Sequence, residues 1–454
     1  MFSVWPMVDA QLGLVAFRGD RVFLDGEFRP ATVLAEKGII VELDGRIPAG
    51  VPITDVAPSA VLLPGLVDTH VHVNEPGRTA WEGFASATAA AAAAGTTTIV
   101  DMPLNSIPPT TSAAALATKR AAAAGKLAVD VGFWGGAVPE NLGALGPLIE
   151  SGVFGVKAFL SPSGVVEFGH LEPEMFRSAL AEVAALDSLC IVHAEDPDLL
   201  VAHDALGRHY ADFLATRPAA SEAHAIARVI SGVAATGARA HIVHLAGAGS
   251  LARLRAARSA GLPLTVETCP HYLTLASVDI PDGAPEFKCC PPIRDRANQD
   301  GLWAGVLDGT IDAIVSDHSP STVELKHQEG GDFGLSWGGI AGLQTALAST
   351  WTEAHERGLR LEQILPLFTT GPARIAGLDR VGRIAPGAPA HLVIFHPNQS
   401  WTVDAARLQH RNPISPWHGR DLIGVVETTY LRAEPVWSAA AGLLGRPGRL
   451  LSSR

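Results

Sequence analysis

The sequence predicts a (β/α)8 barrel of the TIM type with a small β-sandwich-like domain built from both chain ends. Three observations predict it. Between about residue 62 and residue 375, short β-branched runs alternate with alanine-rich, helix-compatible stretches. Eight such apolar runs occur, the number a closed parallel barrel needs. Both ends of the chain lack that alternation and break into short extended pieces separated by Gly, Asp and Pro.

The eight runs are VLLPGLVDTHV, TTTIVDM, AVDVGFW, VFGVKAFL, LCIVHAE, RAHIVHLA, LPLTVETC and IDAIVSDH. Helical stretches fall between them, at Phe84 to Ala94, Ala113 to Ala124, Pro173 to Leu186, Ala220 to Thr236 and Leu251 to Ala260. An open doubly wound sheet is the competing architecture, but its glycine fingerprint after the first strand is missing. At the start, LGLVAFRGDRVFLDGEFRP and GIIVELDGR read as strands and turns. GRIAPGAPAHLVIFHP and VVETTYLRAEPVW do so at the end. The expected division is 1–61 for the first part of the small domain, 62–378 for the barrel, and 379–454 for the second part and a tail. The tail from Ser438 is small and basic and is expected to be loose.

The chain has 454 residues, 47% of them hydrophobic, more than one compact core usually takes. A net charge of -12 without basic runs argues against nucleic-acid and membrane partners. The opening MFSVWPMVDAQLGL has no basic region before an apolar segment, so no signal peptide is expected. The alanine run Ala89 to Ala94 is too short and too weakly apolar to span a bilayer. Four cysteines without CxxC spacing suit reduced thiols and a cytoplasmic location.

Chemistry concentrates at the ends of the runs. His70 and His72 share one face of a strand and sit at the strand end where barrel enzymes build their sites. Two neutral imidazoles on a stiff element suit a divalent metal, although HxH alone is a weak signal. Lys157 lies inside VFGVKAFL, in a chain with only 6 lysines among its 34 basic residues. Burying an ammonium costs several kcal/mol, roughly the penalty of any desolvated ion. Either the lysine is ion-paired or snorkels outward, or its amine has added carbon dioxide to become an anionic carbamate able to bridge two metals.

His193 and His244 close the fifth and sixth runs. His241 stands an odd number of residues before His244, so the two are expected to face opposite ways, with His241 structural. In IDAIVSDH, Asp317 is the inward candidate and His318 the outward one. Strands 1, 4, 5, 6 and 8 therefore all end in groups able to bind metal. Paired divalent ions about 3.5–4 Å apart lower the pKa of water enough for hydrolysis near neutral pH.

In order along the chain, PGLVDTHVHVNEPGRTAWEGF, GVKAFLSPSG, IVHAE, HIVHLA, ETCPHYL, KCCPPIRD, IVSDHSP and WGGIAGLQ resemble the cyclic amidohydrolase branch of the amidohydrolase superfamily, and most closely its allantoinase group. The resemblance covers the whole barrel and its flanks. It implies a binuclear centre of His70, His72, His193, His244, Asp317 and a bridging carboxylated Lys157. Zinc is the usual metal, with cobalt, manganese or iron in relatives. It also implies a cytosolic homo-oligomer, commonly a tetramer. Asp317 would be the acid–base residue in converting allantoin to allantoate.

Dihydroorotases resemble the chain but carry HxHxR, whose arginine grips a carboxylate. Here Asn74 stands at that place, which suits a neutral ring, or else simply caps the turn before Pro76. Hydantoinases and dihydropyrimidinases use a tyrosine just beyond the carboxylated lysine, where this chain has Pro162. Family position assigns ring contacts to Cys290, Gly338 and Gly339; a small packed residue is the equal alternative for Cys290. Scaffold proteins that resemble this family have lost metal ligands, whereas every ligand position here is filled. Two departures stand out: Ala390-His391-Leu392-Val393 replaces the usual A-D-L-V, and Ser321 follows DHSP.

Overall fold

The computed structural model describes residues 13–453. Residues 1–12, which carry the reading of the N-terminus and begin the expected first part of the small domain, lie outside the described residues, as does Arg454.

The barrel strands span Leu66–Val71, Thr96–Asp101, Asp130–Phe133, Val156–Phe159, Leu189–His193, Arg239–Ile242, Leu264–Thr268 and Ala313–Ile314. All neighbours run parallel, and the short extension Gly135–Gly136 carries the third strand onto the fourth. The ring closes just past the eighth strand, where His318 bridges Val71 and its carbonyl accepts from the His72 amide at 2.7 Å. Strands covered by helices on one face and filled by side chains on the other should read as continuous apolar runs, and these do. All residues of the first, second, fourth and fifth are buried. The expected helices form at Phe84–Ala93, Ala113–Ala123, Pro173–Ala185, Ala219–Thr236 and Leu251–Ser259.

The first apolar run is two strands rather than one. Val61–Pro64 pairs antiparallel with Leu392–Thr402 in the sheet of the chain ends, and only Leu66–Val71 enters the barrel. Gly65 makes the corner because a Cβ there would stand 2.1 Å from the Thr97 hydroxyl. The sheet of the chain ends has nine strands. Leu14–Leu24, Glu27–Glu36, Ile39–Leu43, Ile53–Asp55 and Val61–Pro64 meet Leu392–Thr402, Asp421–Leu431, Glu434–Ser438 and Gly442–Leu443. It buries its own apolar cluster, including Phe17, Val33, Leu62 and Ile394, apart from the barrel core.

The tail is not loose. Gly448 donates to Leu127 O, Val131 to Arg449 O and Leu451 to Val131 O at 2.8–2.9 Å, and Leu451 is buried. The backbone ahead of and within the start of the third strand has an unpaired edge, and the tail satisfies it. No helix among the described residues is long and apolar enough to cross a membrane.

Candidate metal centre

At the C-terminal mouth of the barrel lies a cleft of about 330 Å³. His70, His72, Lys157, His193, His244 and Asp317 all line it. Cys290, Gly338 and Gly339 line its wall.

Three donors form one group. The Nε2 atoms of His70 and His72 lie 3.1 and 3.5 Å from Asp317 Oδ1, and all three residues are buried. The second pair is His193 Nδ1 and His244 Nε2, 3.0 Å apart. Lys157 is 1% exposed, with its Nζ 5.1 Å from the centre of the Phe159 ring. Among the described residues it makes no hydrogen bond or ion pair, so neither the ion-paired nor the snorkelling reading describes it. Burial pushes its amine down to about 8, against the pull of Asp317 and Glu267, which favours the neutral base that carbamate formation requires.

Buried carboxylates orient the imidazoles. Glu267 lies 2.5 Å from His70 Nδ1 and 2.9 Å from His241 Nε2. Glu195 lies 2.8 Å from His193 Nε2 and is gripped by Arg217. Burial raises both carboxyls, yet His70 and His241 hold Glu267 down to about 2, and Arg217 and His193 hold Glu195 down to about 2. With those contacts spent on the outer nitrogens, His70 Nε2 is left beside Asp317 and His193 Nδ1 beside His244 Nε2. His70 Nε2 and His244 Nδ1, both buried, have no hydrogen-bond partner among the described residues. Burial lowers His72 to about 4 and takes His244 well below its ordinary value, so both rings are neutral. Burial lowers His70 as well, but Asp317 and Glu267 more than reverse it, so a cation arriving there would displace a proton. Unspent imidazole nitrogens beside a carboxylate and a buried amine whose charged form is disfavoured fit a pair of divalent ions.

Two of the residues on the cleft lie just past the ends of their strands. His241 and His244 both reach Glu267, through Nε2 and the backbone amide. His241 does not line the cleft, whereas His244 does, past a strand that ends at Ile242 and with its backbone in the left-handed region at φ 40°. Asp317 does likewise at φ 43°, past an eighth strand only two residues long. Strain of about 1–3 kcal/mol at each such residue is common where function holds a side chain in place.

Asn74 does not line the cleft. It is buried in the left-handed region, its side-chain amide donating to Pro320 O at 3.3 Å, its backbone carbonyl accepting from the Arg78 amide, and its Oδ1 without a hydrogen-bond partner among the described residues. Asn105 takes the place on the cleft and approaches His72 Nδ1 at 3.5 Å. Ser321 is buried and does not line the cleft. Sequence reasoning missed Glu267 and Glu195. A glutamate within the apolar run LPLTVETC was the same signal that singled out Lys157, and Glu195 stands two residues after His193.

The fold and these donors define a barrel of the hydrolytic metal-centre class. The chain belongs to the amidohydrolase family, whose model matches residues 61–430. Within that family it is 50% identical to the allantoinase of Streptomyces avermitilis, over 98% of this chain and 99% of that one. It is 41% identical to the allantoinase of Saccharomyces cerevisiae, over 97% and 99%. Among solved structures, the L-hydantoinase (dihydropyrimidinase) of Arthrobacter aurescens superposes with a TM-score of 0.92 at 26% identity, over 97% of this chain and all of that one.

Proposed function

We propose that the protein is an allantoinase, opening the hydantoin ring of allantoin to give allantoate. It is a hydrolase of cyclic amides. The observation that carries the reading is the meeting of five strand ends on one floor of imidazoles, a carboxylate and a buried lysine without an ion-pair partner. Full-length identity of 50% and 41% to allantoinases, against 26% to the hydantoinase of the same fold, favours allantoin as the ring.

His70, His72 and Asp317 would hold one divalent ion, and His193 and His244 the other. Lys157 would bridge them as its carbamate; zinc is the proposed metal, with cobalt, manganese or iron as substitutes. When bound, such a pair supplies a nucleophilic water near neutral pH and a Lewis acid for the scissile carbonyl. Asp317 takes the proton of the attacking water at its carboxylate and returns it to the departing ring nitrogen.

The cleft wall suits a neutral substrate. Two of its cationic side chains, away from Lys157, are already engaged: Arg217 forks onto Glu195, and Lys288 Nζ donates to the carbonyls of Gly334 and Ser336 at 3.2 and 2.6 Å. A carboxylate beside the ring would find no free bidentate partner there. Asn105, Cys290 and the Gly338-Gly339 backbone offer neutral contacts instead. We place the enzyme in the cytoplasm as a homotetramer.

Purified, zinc-loaded protein offered allantoin, dihydroorotate, hydantoin and dihydrouracil side by side tests this. Allantoin should lead in kcat/KM by at least about tenfold. A lead for dihydroorotate overturns the reading.

A further inference from the structure

A second set of donors shares Asp317. Cys269 directly follows the strand Leu264–Thr268, and His271 stands two residues on. The Cys269 thiol, a ring nitrogen of His271 and a carboxylate oxygen of Asp317 lie within 4.8 Å of one another, and all three residues are buried. Neither Cys269 nor His271 lines the cleft, so neither is placed to touch substrate.

His271 is the independent observation. It is fully buried, and neither Nδ1 nor Nε2 has a hydrogen-bond partner among the described residues. Its ring meets the Tyr272 ring edge-on at 4.2 Å, a contact that leaves both nitrogens unspent. Leaving a buried polar atom without a partner is costly, and such atoms are rare unless they serve a ligand. A sulfur, an imidazole and one carboxylate oxygen make a softer set than the imidazole-rich centre beside it, and sulfur donors select thiophilic ions.

We propose that Cys269, His271 and Asp317 form a further site for a thiophilic divalent cation, which draws the Asp317 carboxylate away from proton transfer and inhibits the hydrolase. The inhibition rests on the role proposed for Asp317. On binding, the S–H proton of Cys269 leaves to solvent as the sulfur–metal bond forms, and nothing is oxidised or reduced.

The test titrates the two-zinc enzyme with cadmium, following bound metals by elemental analysis, the ultraviolet thiolate-to-cadmium band, and turnover. One further equivalent should bind without zinc release, with the band and the loss of turnover growing together. Cys269→Ser should abolish the band and raise the cadmium needed for half-inhibition at least about tenfold, one decade of affinity. His271→Asn should act in the same direction. Cys290→Ser, which removes the half-buried thiol of the cleft wall, should keep the band. A band that survives Cys269→Ser, one that needs Cys290, or zinc release matching cadmium uptake overturns the site. A Cys269-dependent band without inhibition overturns the link to Asp317. A Cys269-dependent band in a protein that ignores allantoin would separate failure of the proposed substrate from failure of this site.

Discussion

The two ends of the barrel treat buried charge in opposite ways. At the base, under the sheet of the chain ends, Asp130 is buried among partners. Arg432 forks onto both its oxygens at 3.0 and 2.7 Å, the Arg449 amide donates to it, and Arg432 reaches on to Pro447 O. The Arg432 amide in turn donates to His391 Nδ1 at 3.1 Å. At the mouth, by contrast, imidazole nitrogens are left unspent, a lysine is buried without an ion-pair partner, and two of the proposed ligands, His244 and Asp317, hold left-handed backbone. The base spends its buried charge on holding the tail and the small sheet to the barrel. The mouth leaves its donors incomplete, so that ligands can complete them.

Breaking each end should therefore fail differently. The largest effect is expected at the mouth: Asp317→Asn should cut kcat by about 10²–10⁴-fold, the usual worth of a general acid–base, while elemental analysis still finds metal. Near-normal turnover would remove Asp317 from that role. At the base, Arg432→Met strands Asp130 without its counter-charge. It should lower unfolding stability by about 3–5 kcal/mol in denaturant titrations while kcat per folded molecule barely moves. A large fall in kcat with stability intact would invert the contrast.

Smaller effects sharpen it. Glu267→Gln keeps the shape around His70 but loses the charge, and should weaken metal retention against a chelator by about 10–100-fold. Equal chelator sensitivity in variant and parent would show that Glu267 merely fills space. The smallest effect concerns Glu222, whose Oε1 accepts from the Ala246 amide at 2.8 Å, just past His244. Burial pushes its carboxyl up to about 7, against Arg294. The fold holds that proton where the unfolded chain has lost it, so stability falls as pH rises from about 4.5 to about 7. Glu222→Gln should gain about 2–4 °C in thermal midpoint at pH 8 and little at pH 4. A gain of equal size at both pH values would point to packing instead of ionisation.

His391 shows how a departure at the base becomes intelligible. Where relatives of this type carry an acidic residue, an imidazole here lies 3.4 Å from Asp130. A second carboxylate at that distance would repel the first in a buried setting. The chain alone shows only that the motif changed; the neighbour that makes the change sensible comes from another strand far away.

Much of the molecule could be read from the chain because periodicity and burial act locally. A β-branched run between alanine-rich stretches has few ways to be satisfied other than as a covered parallel strand, and a lysine inside such a run is anomalous wherever it lies. The strand ends that meet at the cleft were legible for that reason. What lay beyond reach was set by geometry past the ends of the strands and between distant segments. His244 and Asp317 take left-handed backbone past their strand ends, Asn74 rolls under Pro320 while Asn105 takes the wall, and the tail finds the open edge of the third strand. Those outcomes depend on which backbone groups remain unpaired after the barrel closes, and that is a property of the assembled ring that no single segment carries.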